Sequence, residues 1–143
     1  MMKKSLFALM LVVIAAPLFA ADGPYVPTDI ERAGWTSSDM NSLRTALAAY
    51  HSDYGSFPDV KTMEEVRALI EPKYIMHTAV HDAWGHPFHY ERHGKDGYLL
   101  VSAGADGKFQ PEGWSQTGRN ADLNVDAVAT EDGRWLQLSW KLW

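Results

Sequence analysis

The chain has 143 residues, no cysteine, and 13 basic against 18 acidic side chains, a net charge of −5 with histidine neutral. That length holds one domain; the missing cysteines exclude disulfides and thiol-linked lipid anchors, and the acidic balance argues against nucleic acid and anionic membrane surfaces as partners. Hydrophobic residues at 46% against 22% charged, with six tryptophans, describe a chain that packs a core rather than one that stays disordered.

Met1-Met2-Lys3-Lys4 is followed by an apolar run from Leu6 to Leu18 and then by Phe19-Ala20-Ala21-Asp22. These are the basic, apolar and small-residue regions of a secretory signal, so residues 1–21 are expected to be a signal peptide that delivers the protein to the periplasm or the medium. An uncleaved anchor is the second reading, because Pro17 interrupts the run and about 15 apolar residues is short for a membrane span. Without Lys3 and Lys4, 11 basic residues face 18 acidic ones, a net of −7, and the mature chain is expected to have no span.

Residues 22–35 carry Gly23, Pro24, Pro27 and Gly34 with little periodicity and read as a linker, leaving 36–143 as the globular domain. Thr36 with Asp39 resembles a capping box, and Met40, Leu43, Leu47, Tyr50 and Tyr54 then recur at helical spacing until Gly55 and Phe57-Pro58 end the helix. A second, short helix is signalled by Thr62 and Glu65, with Val66, Leu69 and Ile70 as its apolar face and Pro72 as its stop. Pro87 to Tyr90 and Tyr98 to Val101 flank the turn Gly94-Lys95-Asp96-Gly97, the pattern of an antiparallel hairpin whose second arm is buried on both faces. Ser102 to Asn124 is a long polar loop, and loops of that length need a reason. A strand begins near Val125 to Ala129, and after the Asp132-Gly133 turn Leu136, Leu138, Trp140 and Leu142 alternate in strand period. The expected fold is α+β, an N-terminal amphipathic helix packed on a small antiparallel sheet.

Three motifs in this order carry a family resemblance. The first is the helix end Leu43 to Tyr50 with Asp53-Tyr54-Gly55-Ser56-Phe57-Pro58. The second is Asp82-Ala83-Trp84-Gly85-His86-Pro87-Phe88-His89-Tyr90, and the third is Ser102-Ala103-Gly104-Ala105-Asp106-Gly107 with Asn120-Ala121-Asp122-Leu123 beyond it. Together they resemble the globular domain of the major, G-type pseudopilin of type II secretion systems. The resemblance implies a pseudopilin-like fold, protein partners among secretion components, and a structural calcium ion that orders the long loop. By position it assigns Asp106 and Asp122 as carboxylate ligands and the Ala103 carbonyl as a further oxygen. Ala121 stands where the family often has the first acid of its pair, so Asn120 or Asn124 would contribute a neutral oxygen. An ordinary Asp-Gly turn followed by a solvated loop is the alternative. Where pseudopilins carry a glycine cleavage site and a long apolar helix, this chain has a signal-peptidase-like site, so a soluble accessory domain is expected.

Five histidines, His77, His81, His86, His89 and His93, fall close together, and a periplasmic binder of zinc or copper is the alternative function. His89 and His93 would share a strand face but about 13 Å apart, too far for one ion. No nucleophile elbow, zinc-protease pair or phosphate-cradling glycine loop occurs, so no catalysis is expected; Asp82 and His86 are the one acid–base pair to test. Trp84 reads as a core anchor. Trp114 either closes the polar loop or faces a partner, and Trp135, Trp140 and Trp143 mark either sheet packing or an open edge.

Overall fold

A computed structural model describes residues 24–115, 118–120, 122–132 and 135–138. The expected signal peptide lies outside the described residues, as do Trp140 and Trp143.

Helix α1 spans Asp29–Tyr54 and so begins inside the segment expected to be a linker. The true cap is Thr28: its hydroxyl accepts the Glu31 amide at 3.3 Å while the Glu31 carboxylate accepts the Thr28 amide at 2.9 Å. Placed directly after Pro27, this Thr-x-x-Glu pair satisfies two terminal amides at once and starts the helix ahead of Thr36. Gly34 is carried within the helix, and Thr36, buried rather than capping, accepts the Ala83 amide at 3.0 Å. Gly55, at φ 68°, ends the helix in the left-handed conformation that glycine adopts without steric cost.

Helix α2, Met63–Ile70, starts at the expected Thr62–Glu65 capping box and buries Met63, Val66 and Ile70; Leu69, expected on that face, is 41% exposed. Among the described residues five strands follow: β1 His89–His93, β2 Gly97–Ser102, β3 Gly118–Asn120, β4 Ala127–Thr130 and β5 Trp135–Leu138. The sheet order is β1-β2-β4-β5-β3. The pairs β1–β2, β2–β4 and β4–β5 are antiparallel, as expected, and the short β3, inside the expected loop, adds to β5 in parallel. Trp135 thus stands on an interior strand, and among the described residues the sheet edges are β1 and β3.

The core lies between α1 and the sheet. Met40, Leu43, Ala46 and Leu47 meet Tyr90, Tyr98, Leu100, Ala127 and Ala129, and α2 closes one side with Val66 and Ile70. On the opposite sheet face Leu99, Val101 and Val128 form a second cluster, covered by Trp114 and Val125. Every residue of β2 is buried, because helix lies on one face and the β2–β4 connection straps across the other. Among the described residues no helix is long and apolar enough to cross a membrane.

Candidate functional site

Two segments meet beside the end of β2, the turn 82–86 and the β2–β4 connection. Asp82 organises the turn. Its Oδ1 accepts the amides of Trp84 and His86 at 3.0 and 2.9 Å, and its Oδ2 accepts the hydroxyl of the fully buried Ser102 at 2.7 Å. Ser102 Oγ in turn accepts the Gly104 amide at 3.3 Å, and His86 Nδ1 lies 3.1 Å from the Gly104 carbonyl. The same turn reaches α1, through the Ala83 amide on Thr36 and through Trp84 Nε1, which donates to Asp29 Oδ1 at 2.8 Å. Trp84 is therefore the expected anchor, half-buried against the core, with a polar tie to the first turn of the helix.

This arrangement is ill-suited to acid–base chemistry. The Asp82 side chain is sealed from solvent and both its oxygens are engaged. His86 Nδ1 stands 3.5 Å from Asp82, while the Ser102 hydroxyl donates to Asp82 and not to the imidazole, so no nucleophile faces a base.

The connection itself folds back on its start. The Ala105 amide donates to the Leu123 carbonyl at 2.7 Å, which sets the limb carrying Ala103 and Asp106 beside the limb carrying Asp122 and Asn124. Gly104, at φ 68°, permits this approach: a Cβ there would lie 2.7 Å from the Leu123 carbonyl oxygen and 2.9 Å from that of Val125. Gly107, also at positive φ, is pressed against the His86 ring. Asp106 accepts the Lys108 amide at 2.9 Å and Asp122 the Asn124 amide at 3.0 Å, each carboxylate closing its own turn. Asp106, Asp122 and Asn124 are exposed and Ala103 is buried. The lining offers carboxylate, carbonyl and amide oxygens, the donor set that suits calcium. Among the described residues no three acidic or imidazole side chains converge to hold a metal, so an ion here needs main-chain oxygens and movement of the exposed arms.

Asp126, not singled out from sequence, ties the strap down. Its Oδ2 accepts the Gln110 amide at 2.7 Å and the Trp114 indole N–H, and Gln110 Nε2 donates to the Asn124 carbonyl at 2.9 Å. The residue is 1% exposed, and among the described residues its Oδ1 has no partner. Burial pushes its carboxyl above the usual carboxylate range, the bonds from Gln110 and Trp114 pull it back, and the charges of Asp106 and Glu112 push it up again. The available signal was an acid between Val125 and the apolar Ala127 to Ala129, where a charge needs a partner.

The histidines are dispersed. His51 faces Asp96, His86 faces Gly104, His89 stacks on Trp114 at 5.4 Å, His89 and His93 flank Glu91, and His77 and His81 are exposed. The alternative of a zinc or copper cluster therefore has no support among the described residues. Trp114 closes the connection onto the sheet.

Residues 27–124 match the family described as Type II secretion system (T2SS), protein G, a span that takes in α1, the Asp82 turn and the limbs of the connection. Comparison with curated proteins and with solved structures finds no match.

Proposed function

The chain belongs to the type II secretion system protein G family, and from that premise we propose that it is an exported, pseudopilin-like module that acts by protein contacts in secretion rather than by catalysis. The observation that carries this reading is the extent of the match, which covers the helix and both loops that Asp82, Ser102 and His86 bond together. The periplasm is its expected place, with secretion components as partners and an accessory role.

Calcium completes the reading. The Ala103 carbonyl, Asp106, Asp122 and Asn124 would hold it, and a bound ion would supply a fixed positive charge that ties the two exposed limbs together. The surface presented to a partner then depends on the order of the connection, since the strap rests on the same segment.

Two experiments test the two halves. Deletion of the gene, with complementation, should lower release of type II substrates into the medium, and unchanged release would refute the secretion role. Thermal unfolding after chelation should shift upward when calcium is restored, because a ligand of the folded state alone raises the midpoint. Asp106→Ala and Asp122→Ala should each abolish that shift, and retention of it in both would remove the ligand assignment.

A further inference from the structure

Asp126 lies beyond the matched residues 27–124 and outside the ligand set above. Resting on the reading that the connection binds calcium, we propose that Asp126 is a further ligand, with Oδ1 on the cation and Oδ2 on the strap.

Four observations lead there. Asp126 is 1% exposed, yet among the described residues Oδ1 has no hydrogen-bond partner, and a buried carboxylate oxygen left without one is strongly disfavoured unless a cation or donor meets it. The orientation of the carboxylate is fixed by the Gln110 amide and the Trp114 indole on Oδ2, so Oδ1 is held in place before any ion arrives. Asp106 and Glu112 lie near enough for their charges to act on it, and no described basic side chain pairs with any of the three. The carbonyls of Leu123 and Val125, on the residues leading into Asp126, crowd Gly104 and add hard oxygens where the two limbs of the connection meet. Asp126 is thus the rigid anchor, built on the start of a core strand, while Asp106 and Asp122 are the exposed arms that close on the ion.

The anchor makes cation binding and strap position one event. Trp114, bonded to the same carboxylate, covers Leu99, Val101 and Val128, so the ion secures the cover on the outer sheet face.

The test is calcium titration of the purified full chain after chelation, read by thermal unfolding and by binding isotherm. Asp126→Asn should weaken calcium binding by about tenfold or more, since ligand charge sets affinity in such sites. It should leave the calcium-free midpoint at or above that of the parent, because the buried unpaired charge is gone. A purely structural Asp126 would give the reverse, a lowered calcium-free midpoint with the calcium shift intact, and that result overturns the proposal. If Asp106→Ala and Asp122→Ala abolish the shift and Asp126→Asn does not, the calcium loop stands and Asp126 falls; no shift in the parent overturns both. Terbium in place of calcium gives a second reading that does not depend on the Asp126 variant folding. Excitation of tryptophan should sensitise bound terbium, and Trp114→Phe should remove most of that emission while calcium still competes. Full emission from Trp114→Phe would place the ion away from Asp126.

Discussion

Replacing Asp82 with alanine removes the acceptor for three donors at once, the amides of Trp84 and His86 and the hydroxyl of Ser102, at 3.0, 2.9 and 2.7 Å. Ser102 is fully buried and Asp82 is 5% exposed, so water does not reach the vacated position without opening the turn. A stranded buried donor costs about 1–3 kcal/mol. The two amides lie in a part-buried turn and recover some hydration, which sets the expected loss at about 3–5 kcal/mol. Against a total stability of about 5–15 kcal/mol that is a large fraction, equivalent to a fall of roughly 10–20 °C in midpoint for a domain of this size. Asp82→Asn separates charge from connectivity. It keeps an acceptor for the two amides but turns an NH2 toward Ser102 Oγ, which already accepts from Gly104, and should cost about 1–2 kcal/mol. Urea unfolding followed by circular dichroism, with an unchanged m-value, measures both. A loss under about 0.5 kcal/mol for Asp82→Ala, the range of an inert surface change, would refute the assignment of Asp82 as the organiser of the turn.

Gly34 sits within α1 at no positive φ, and a Cβ there meets nothing among the described residues within 4 Å, so Gly34→Ala should stabilise by about 0.5–1 kcal/mol in the same urea assay. Gly104→Ala should do the opposite, by about 2 kcal/mol or more, because its φ of 68° is strained for alanine and the new methyl meets the Leu123 and Val125 carbonyls; the calcium shift should disappear with it. Burial holds the Tyr98 phenol at a pKa of about 12, raised from 10.0, so its contribution is complete below pH 10 and is lost as pH rises toward 12. Stability should therefore fall by about 2–3 kcal/mol across that window, and Tyr98→Phe should flatten the decline.

Local signals were legible where one mechanism decides the outcome. The Thr62–Glu65 box started α2, Gly55 ended α1, and the turn at 94–97 joined the hairpin as read. The start of α1 was misplaced because two Thr-led pairs compete and the periodic stripe begins only after the second. Thr28–Glu31 closes both bonds of a box, whereas Thr36 is claimed by a residue 47 positions away, a contact that no local window contains. The candidate site divides along the same line. Asp106 and Asp122 were reached only by position, through the family resemblance, and the bond that sets Ala105 beside Leu123, and the burial that makes Asp126 unusual, come only from the closed connection. Likewise β3 has three residues and pairs in parallel with a later strand, too little pattern to see ahead of its partner.

The contacts from Trp84 to Asp29 and from Ala83 to Thr36 also have a mechanical meaning. A tension applied along α1 from its first turn does not have to be borne by the helix core packing alone. It passes through the indole and the threonine into the turn, through Asp82 into Ser102, and so into β2, an interior strand of the sheet. Those bonds would share the load, whereas a frayed helix end would release one turn after another. The domain is braced at the end where its first helix begins.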